Sequence, residues 1–586
     1  MANEFVVSRG KIYNAYRSQY SQSVSPVNRA AVREHCMLNT LDAIVPQRFW
    51  AWTLCGILCV LFVALSFLSP LWLVPALAAA ALTLVGLFDF TQDKQAIRRN
   101  YPLLAHFRFF FESIRPELRQ YFFESDTEEL PFSRAQRSIV YQRAKNTVDK
   151  RPYGTQIDFY APHYEWMNHS IAPVDPPTHD FRIDIGGPQC TRPYSASVFN
   201  ISAMSFGALS ANAVLALNEA AKRGHFYHDT GEGSISRYHR ERGGDLVWEI
   251  GSGYFGCRDE VGRFNEERFA ANANTDQVKM IEIKLSQGAK PGHGGVLPGA
   301  KVSPEIAATR GVPVGIDCSS PARRSAFSTP LELIGFVARL RELSGGKPVG
   351  IKLAIGHPWE WFAIVKAMLE LGTAPDFVVV DGGEGGTGAA PLEFTDHVGA
   401  PMREGLMLVH NTLVGVNLRA RVKIGASGKI VTAFDIARTM AMGADWCNSA
   451  RGFMFALGCI QAQACHTGKC PTGVTTQDPA RMRALVVPDK AERVFQFHEN
   501  TLKALRELLG AAGLTHPRKI GPEHVIRRIS STEVRSLSAL YPWVNPGELL
   551  ADVPQHAVFK VFWELARADS FAAPPNVLAV GGFKDR

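Results

Sequence analysis

The sequence predicts an α/β protein: a (β/α)8 TIM barrel preceded by a transmembrane helical hairpin and followed by C-terminal helices. Three observations lead to this prediction. Eight short β-rich runs alternate with helical patterns between residues 198 and 448. Residues 49–88 contain 40 positions without one charged side chain. Apolar residues recur at helical spacing beyond residue 490, as in a helix packed on a larger domain.

Length and composition restrict the class of protein. A chain of 586 residues has room for one large domain with extensions, or for two or three domains. Apolar residues make up 46% and charged residues 20%, which is ordinary for a folded protein. The net charge of +8 comes from scattered basic residues, so no nucleic-acid partner is expected. The ten cysteines form no small secreted disulfide framework, which favours a reducing compartment.

These features divide the chain into five predicted parts. The parts are an N-terminal polar, weakly patterned segment (1–48), a two-helix transmembrane hairpin (49–88), linker helices and loops (89–190), a barrel with a cysteine loop (191–480) and a C-terminal helical extension (481–586).

The uncharged run at 49–88 is long enough for two membrane spans. Pro70 and Pro75 lie near its middle, where a turn would fall, and each side approaches the 20 residues that span a bilayer. Arg48 precedes the run, and basic residues at 94, 98 and 99 follow it. Positive flanks on both sides predict two spans with both ends cytoplasmic. A buried core hairpin is the alternative; a cleaved signal is not expected because the run is too long and starts too late.

The barrel prediction depends on eight candidate strands separated mostly by helical patterns, such as 331–343 and 364–371. The eight runs are 198–204, 225–228, 280–283, 312–316, 348–353, 376–380, 422–425 and 445–448. In a (β/α)8 barrel, catalytic groups come from the carboxyl ends of the strands. An open doubly wound sheet is the alternative, but no G-x-G-x-x-G motif opens a first helix.

The segment after the barrel contains one strong helical pattern. Five residues repeat at the spacing of a buried helix face: Val494, Phe497, Thr501, Leu505 and Leu508. We expect this helix to pack on the barrel.

Two late loops are typical of a phosphate site. Ser427-Gly428-Lys429 follows the seventh candidate strand, and Ser449-Ala450-Arg451 follows the eighth. Barrel enzymes often bind phosphate at these two loops, with backbone N–H groups as donors. One phosphate cup without a dinucleotide fold predicts FMN rather than FAD.

A glycine-rich loop follows the sixth candidate strand, at residues 381–391 (DGGEGGTGAAP). Its small residues, among them Gly385, Gly386 and Thr387, leave room for a flat ring or for close approach of a cluster to a flavin. A flexible turn is the alternative, but Thr387 and Glu384 within the loop favour shaped contacts.

Lys352 lies at the end of the fifth candidate strand, where a buried lysine needs an anionic partner. A reduced flavin, negative at N1, would provide one. A structural ion pair is the alternative.

Three cysteines, Cys459, Cys465 and Cys470, form a C-x5-C-x4-C run that ends in Cys-Pro. Closely spaced thiolates hold soft metal centres, and a Cys-Pro ending is common among iron–sulfur ligands. Three ligands suit a cluster with three protein-bound corners, such as 3Fe–4S. Zinc completed by His466 and inert buried thiols remain the alternatives, although zinc usually takes four well-spaced ligands.

Together these motifs resemble the flavin- and iron–sulfur-containing synthase domain of glutamate synthases. The likeness covers about residues 200–477 and is greatest to free-standing bacterial proteins of this kind, some with an N-terminal membrane segment. The motifs, in the family's order, are 203–207 (AMSFG), 230–233 (TGEG), 287–292 (QGAKPG), 385–389 (GGTGA) and the cysteine run followed by 472–474 (TGV).

The resemblance implies roles for individual residues. Cys459, Cys465 and Cys470 match the ligands of a 3Fe–4S cluster. The expected catalytic residues are Glu232, Lys290 and Lys352, and the expected substrate-binding residues are Glu232, Lys284, Lys290 and Arg310. The expected FMN-binding residues are Met204, Ser205, Lys352, Gly385, Gly386, Thr387, Ser427, Gly428, Ser449 and Ala450.

The chain also departs from the family's pattern. Where glutamate synthases read G-E-G-G-Q, residues 292–296 read G-H-G-G-V, so Val296 replaces a glutamine that helps hold the keto acid. The glutaminase domain with its N-terminal cysteine is not found, since residue 2 is alanine, and no nicotinamide fingerprint occurs. Ammonia and electrons are therefore expected to come from elsewhere.

The resemblance implies an oxidoreductase acting on CH–NH2 groups, forming glutamate from 2-oxoglutarate and ammonia or catalysing a related amine or keto-acid reaction. A membrane-linked amine or amino-acid dehydrogenase and a non-catalytic flavin-binding scaffold are the alternatives. The expected partners are a small amino or keto acid, an electron-transfer partner (ferredoxin, a reductase or a quinone) and the bacterial inner membrane, with the barrel on the cytoplasmic side.

Overall fold

The computed structural model describes residues 45–92, 94–125, 130–551 and 557–573. The chain divides into two compact units, Met1–Glu124 and Ser125–Arg586. Most of the predicted polar segment at 1–48 lies outside the described residues.

The first unit contains two apolar helices, α1 (Trp50–Ser66) and α2 (Leu73–Thr91), each preceded by a 3-10 turn (Gln47–Phe49, Pro70–Trp72). By length and composition, both are apolar enough to cross a membrane. The helices pack antiparallel through small residues: a Cβ at Gly86 would lie 2.3 Å from Cδ1 of Trp52, whose Nε1 donates to the Thr83 carbonyl at 3.0 Å. Close approach at small residues is typical of helix pairs in membranes.

The described part of this unit also contains α3 (Ala96–Asn100) and α4 (Leu104–Leu118). A π-helical turn (Arg119–Phe123) continues α4.

The second unit is built on a closed barrel of eight parallel strands, so the predicted fold class is confirmed. In barrel order the strands are β4 (Phe199–Ile201), β5 (His228–Asp229), β6 (Leu246–Ile250), β7 (Val278–Lys284), β10 (Val349–Leu353), β11 (Phe377–Asp381), β12 (Lys423–Ser427) and β13 (Trp446–Ser449). Closure is direct, since β13 pairs with β4 through Asn448 and Asn200.

Helices and short turns connect and surround these strands. The helices are α5 (Arg134–Ala144), α6 (Ala211–Gly224), α7 (Arg237–Glu241), α8 (Glu266–Ala273), α9 (Pro304–Arg310), α10 (Pro330–Leu343), α11 (Pro358–Leu371), α12 (Leu392–His397), α13 (Met402–Gly415), α14 (Ala433–Ala441), α15 (Arg451–Leu457), α16 (Pro479–Met482), α17 (Val487–Ala511), α18 (Leu537–Leu540) and α19 (Ala557–Leu565). The 3-10 turns are Gly299–Lys301, Cys465–Thr467, Pro517–Lys519, Pro522–His524 and Glu548–Leu550.

One predicted strand is wrong and one strand was missed. The run at 312–316 follows Gly311, which ends α9 in the left-handed region (φ 69°), and it turns through Gly315 with Val314 and Ile316 exposed. The strand that was not predicted is β6, in which Glu249 interrupts an otherwise apolar run. Because one strand was predicted in excess and one was omitted, the fifth to eighth predicted strands are also the fifth to eighth strands of the barrel.

The amino-terminal end of the barrel is closed by a hairpin, β2 (Arg182–Ile185) and β3 (Tyr194–Ser197). Its apolar side chains pack against the lower barrel interior, and the cluster comprises Ile183, Ile185, Tyr194, Ala196, Tyr227, Val247, Met280, Phe377, Val379 and Trp446. Ligands therefore have access only from the carboxyl end of the strands.

The predicted helix beyond residue 490 is confirmed as α17. Val494, Phe497, Thr501 and Leu505 are buried, and Leu508 is half-buried. The segment predicted as a helical extension also supplies β14 (Val525–Arg528) and β15 (Val534–Ser536), which form a sheet with β1 (Glu165–Met167). A short antiparallel pair, β8 (Val296–Leu297) and β9 (Cys318–Ser319), lies in the loops after β7.

Candidate active site at the carboxyl end of the barrel

The loops that follow the strands pack closely over the carboxyl end of the barrel. A Cβ at Gly288, after β7, would lie 1.7 Å from the carbonyl oxygen of Gly382, after β11. The backbone N–H of Gly288 donates to Oδ2 of Asp381 at 2.9 Å. Only glycine permits this backbone contact, which explains part of the glycine content of both loops.

The predicted phosphate cup is assembled by β12 and β13. The backbone N–H of Ser202, after β4, donates to the Ser449 carbonyl at 3.1 Å, and Ser202 Oγ lies 3.4 Å from Ser427 Oγ. Helix α15 begins directly after Ala450 with no side-chain cap, which leaves its first N–H groups available to an anion.

Two cations lie at this cup. Burial and the positive charge of Arg451 lower the pKa of Lys429, which stands at a left-handed φ of 51°. Burial also lowers the pKa of Arg451 to about 10. The Arg451 side chain donates to the Glu384 carbonyl at 3.0 Å and lies 4.6 Å from the Phe132 ring centroid. Two partly desolvated cations that repel each other are stabilised by an anion.

The first and second barrel loops meet beside the cup. A Cβ at Gly231 (φ 63°) would lie 2.7 Å from the backbone nitrogen of Ser205, and one at Gly233 would lie 2.8 Å from Ser205 Cβ. Met204 is buried and Ser205 half-buried. The motif at 203–207, predicted to contact FMN, and the motif at 230–233, predicted to carry the catalytic Glu232, are therefore neighbours in space.

Below the loops, the barrel interior contains a layer of ionised and acidic side chains. Lys352 on β10 donates to Glu249 Oε2 on β6 at 2.7 Å and lies 3.8 Å from Glu282 on β7. Asp229, Glu249 and Glu282 have carboxylate oxygens within 4.8 Å of one another, and all three are buried. Lys352 thus has a carboxylate partner within the protein, which is the structural ion pair given as the alternative to a reduced flavin.

Protons in this layer are shared unequally. Burial and the Glu249 carboxylate raise the pKa of Asp229 to about 7, and burial and Asp229 raise the pKa of Glu282 well above its usual value. Burial alone would lower the pKa of Lys352, but the carboxylates of Glu249 and Glu282 outweigh it and raise this pKa. The layer holds a cationic lysine and at least one protonated carboxyl group at acidic pH.

Glu232 and Lys284 connect this layer to the loops above it. Lys284 Nζ lies 2.9 Å from Glu232 Oε1, 2.7 Å from Gln287 Oε1 and 3.8 Å from Glu249. Burial would raise the pKa of Glu232, but Lys284, with a hydrogen bond from Ser320, lowers it to about 2. This geometry favours a carboxylate that orients Lys284 and does not favour proton donation by Glu232.

Lys290 and Arg310, predicted to bind substrate, are both buried. Lys290 Nζ donates to the Ala389 carbonyl at 3.0 Å, and burial lowers its pKa. Arg310 donates to the Phe206 carbonyl at 2.9 Å, and its guanidinium lies 5.4 Å from the Phe255 ring centroid. A Cβ at Gly233 would lie 2.9 Å from this guanidinium, so Arg310 reaches the loop that carries Glu232.

One further cation, Arg324, lies at this mouth and was not predicted from the sequence. The acidic residues on β5, β6 and β7 (Asp229, Glu249 and Glu282) were not predicted either. Burial lowers the pKa of Arg324 to about 10, although the nearby Tyr254 and Glu232 act to raise this pKa. Its Nε is buried without a hydrogen-bond partner among the described residues. The loop that carries it is held over Glu232 by Ser320, whose N–H donates to Gly295 at 2.8 Å. The consecutive pair Arg323-Arg324 in a loop was the available signal.

The three predicted metal ligands, Cys459, Cys465 and Cys470, line one cavity together with small and threonine side chains. Other lining residues are Ala462, Ala464, Pro471, Thr472, Val474 and Thr475. Burial would raise the pKa of Cys470, but hydrogen bonds from Thr472 and Thr475 lower it to about 7. Burial raises the pKa of Cys459 to about 12.

The cysteine cavity adjoins the phosphate cup. Helix α15 starts at the cup and ends two residues before Cys459, and its seven residues span about 10 Å. A Cβ at Gly388, in the glycine-rich loop, would lie 3.8 Å from Cys465 Cβ. The Gln461 side chain pairs with both backbone groups of Phe132, which packs under Arg451.

Comparisons with known proteins identify relatives of this chain. Residues 188–515 match the conserved region in glutamate synthase. The glutamate synthase large subunit-like protein YerD of Bacillus subtilis is 38% identical over 480 residues, 75% of this chain and 91% of that protein. An archaeal glutamate synthase [NADPH] of Methanocaldococcus jannaschii is 38% identical over 315 residues, and the match spans 54% of this chain and 58% of that relative.

Among solved structures, a mutant flavocytochrome b2 with pyruvate bound matches at a TM-score of 0.38 and 13% identity, covering 77% of this chain and 91% of that one. The fold assignment depends on the chain's own strand order. The match across more than half the chain and the similarity to YerD establish the family: this chain belongs to the glutamate synthase family of oxidoreductases.

Proposed function

We propose that this protein is an FMN- and iron–sulfur-dependent oxidoreductase that forms glutamate from 2-oxoglutarate and ammonia, or interconverts a related amine and keto acid. The observation that carries the proposal is the junction of three features at one barrel mouth. Buried cations in the segment after β7, a cationic phosphate cup after β12 and β13, and a cavity lined by three thiols after α15 all lie at the carboxyl end of the barrel.

The residues at the cup fit FMN. The uncapped start of α15, the Ser427-Gly428 turn and the cations Lys429 and Arg451 suit one phosphate group. Gly385, Gly386 and Thr387 border the same opening, with Met204 and Ser205 on the opposite loop. When bound, FMN would exchange two electrons with a substrate and single electrons with a cluster.

The cysteine cavity fits a 3Fe–4S cluster. Its three thiols, the hydrogen bonds that favour a Cys470 thiolate and the small neighbouring side chains support this assignment. Lys301 donates to the carbonyls of Cys465 at 3.2 Å and Thr475 at 3.3 Å, which places a positive charge beside an anionic group.

Two buried cations, Lys290 and Arg310, and the half-buried Arg324 supply the substrate site of this proposal. Lys290 and Arg310 would bind the carboxylates of a dicarboxylate, and Arg324 adds a third positive charge near Glu232. Glu232 supplies one negative charge to these three cations, so an anionic guest stabilises this mouth.

The reaction balances as follows: 2-oxoglutarate, an ammonium ion, two electrons and two protons give glutamate and water. Lys284 is held between Glu232 and Glu249 by ion pairs and supplies a fixed positive charge there. Glu232 orients Lys284, and Lys352 places positive charge beneath the cofactor site. The reverse reaction uses the same groups.

We also propose that α1 and α2 attach the protein to the bacterial inner membrane, with the barrel on the cytoplasmic side. The outward faces of both helices are apolar and exposed, as Val60 (73%) and Val74 (72%) show. This hairpin favours the alternative direction, in which an amine or amino acid is oxidised and electrons leave to a membrane acceptor such as a quinone. A soluble ferredoxin or a reductase is the partner that the synthetic direction requires.

Anaerobic purification in detergent tests the proposal. Denaturation should release FMN at about one per chain, and a panel of amino acids should bleach the flavin of the oxidised protein if it works as a dehydrogenase. The reduced protein should be reoxidised by 2-oxoglutarate with ammonium if it works as a synthase. Release of FAD, or a flavin spectrum that responds to no amine or keto acid, would contradict the proposal and favour a non-catalytic scaffold.

A further inference from the structure

Helix α4 and the turn that continues it carry a row of large apolar side chains that nothing in the described structure covers. Phe107, Phe110 and Phe111 are 64%, 56% and 56% exposed, and Tyr121, Phe122 and Phe123 are exposed to 63–78%. Six exposed aromatic rings within 17 residues form a patch that soluble surfaces rarely tolerate.

The pattern of α4 separates two faces. At 100° per residue, Phe107, Phe110, Phe111, Ile114 and Leu118 share one side of the helix. Three arginines form a stripe along one edge of this side: Arg108, Arg115 and Arg119. Phe111, Leu118 and Phe123 line one groove together with these arginines and Glu112. Arginines at the border of an apolar face can reach anionic headgroups while their stems stay in apolar surroundings.

A buried carboxylate ties α4 to the end of α2. Asp89, the last acidic residue of α2 and fully buried, accepts from the backbone N–H of Leu103 at 3.1 Å and lies 2.8 Å from His106 Nε2. Leu103 adopts a left-handed φ of 66°, which a bulky residue avoids unless contacts compensate. These contacts hold the start of α4 at the level where α2 ends.

We propose that residues 104–123 lie in the plane of the membrane surface, with the aromatic face among the lipid chains and the arginine stripe on anionic headgroups. This inference rests on the proposed membrane attachment of α1 and α2. If α2 spans the bilayer, Asp89 lies near its end at the headgroup region, and the Asp89–His106 contact starts α4 at that depth. The occupant of the aromatic face is then the lipid surface, and the barrel unit is connected to the membrane through this helix.

Photocrosslinking of the full-length protein in nanodiscs tests this inference. p-Benzoylphenylalanine is placed in turn at Phe110 on the aromatic face, at Ser113 on the polar face, and at Leu77 in the first half of α2. The nanodiscs contain phosphatidylcholine and phosphatidylglycerol, and lipid adducts are counted by mass spectrometry. We expect adducts from positions 77 and 110, and at least about tenfold fewer from position 113.

The outcomes separate this inference from the proposed membrane attachment. Adducts from position 77 without adducts from position 110 would overturn the surface helix while the hairpin stands. A crosslink from position 110 to a peptide of residues 125–586 would show that the barrel covers the aromatic face, and it would also overturn the inference. Equal adducts from 110 and 113 would contradict the two-faced orientation. No adduct from position 77 would remove the membrane attachment itself, and the inference with it.

The arginine stripe has its own test in the same nanodiscs. Replacing Arg108, Arg115 and Arg119 with glutamine should lower the ratio of phosphatidylglycerol to phosphatidylcholine adducts at position 110 at least about fivefold, since one arginine near the surface contributes about 1 kcal/mol. Glu117→Gln, on the side of the helix opposite the arginine stripe, is the control and should not lower the ratio. An unchanged ratio in the triple variant would contradict headgroup binding by the stripe.

Discussion

The cysteine cavity and the charged layer beneath it build their chemistry in different ways. Three thiols come from twelve consecutive residues, and α15 positions the first of them directly after the phosphate cup. The charged layer takes one side chain from each of several strands, and its closest pair, Lys352 and Glu249, is 103 residues apart in sequence. A local motif keeps its ligands through its own spacing, whereas a cross-strand network exists only when the barrel closes.

The largest expected effect comes from breaking the local motif. Cys465→Ser should abolish cluster binding, because an alcohol is a poor ligand for iron and only three thiols line the cavity, while FMN content stays near one per chain. Iron analysis and electron paramagnetic resonance measure the loss.

Cys190→Ser is the matched control, since Cys190 lies at the other end of the barrel, with Sγ 3.2 Å from the Gly346 carbonyl. Native iron content and an unchanged resonance signal in Cys465→Ser would contradict the ligand assignment.

Breaking the cross-strand network should instead cost stability of the whole barrel. Lys352→Met removes the cation that is hydrogen-bonded to Glu249 and leaves only Lys284, 3.8 Å away. Removing one partner of a buried ion pair costs about 3–5 kcal/mol. Thermal unfolding followed by tryptophan fluorescence should show a clearly lower Tm than in the wild type.

The double variant Lys352→Met with Glu249→Gln provides the comparison. It should lose less than the sum of the two single variants, because the unpaired carboxylate is removed as well. Additive losses would show that the two residues are not coupled.

Substrate affinity at the barrel mouth depends on both kinds of feature. Val296 is a local departure from the family's motif, and it lies beside a site that only the fold assembles. Val296 is half-buried on β8, next to Gly295, where a Cβ would lie 2.0 Å from Glu232. Hydrogen bonds to charged groups contribute about 1.5–3 kcal/mol. Val296→Gln should therefore strengthen 2-oxoglutarate binding by one to two powers of ten, and Arg310→Ala should abolish it.

Calorimetry with 2-oxoglutarate checks both variants, and Arg324→Ala should weaken binding without removing it. Absence of carboxylate binding to the wild type and to Val296→Gln would rule out the glutamate assignment and leave another amine or keto compound as the substrate.

The smallest effect concerns pH. The pKa of Asp229 is raised to about 7 in the folded barrel by burial and by Glu249, whereas its ordinary value is 3.8. The folded state therefore binds more protons between these values, so this contribution to stability is complete below pH 4 and is lost as the pH rises towards 7. The slope is at most about 1.4 kcal/mol per pH unit.

Asp229→Asn should flatten the dependence of Tm on pH between 5 and 7, whereas Asp180→Asn on the surface should not. Glu232 acts in the opposite direction, because its pKa is lowered to about 2 and its contribution is lost only below about pH 4. An unchanged slope in Asp229→Asn would show that another group holds the shared proton.

Much of the fold was predictable because its signals are local. The strands from residue 348 onward follow continuous β-branched and apolar runs, and α17 follows its buried face. Strand β6 escaped prediction because a buried glutamate resembles an exposed position when only its neighbours are considered. The run at 312–316 was mistaken for a strand because apolar residues in a turn look the same as apolar residues in a core.

By itself the sequence predicted the (β/α)8 class from eight β-rich runs that alternate with helical patterns. It also predicted the two late loops of the phosphate cup, the three grouped thiols and the uncharged hairpin, each from composition or spacing within a short window. Only the tertiary structure decided that Glu249 is the partner of Lys352. It also placed Lys284 between Glu232 and Glu249. The third contact that it decided brings Arg324 to the other cations at the barrel mouth. These contacts join residues tens to more than a hundred positions apart, and their geometry arises only where barrel strands bring their carboxyl ends together.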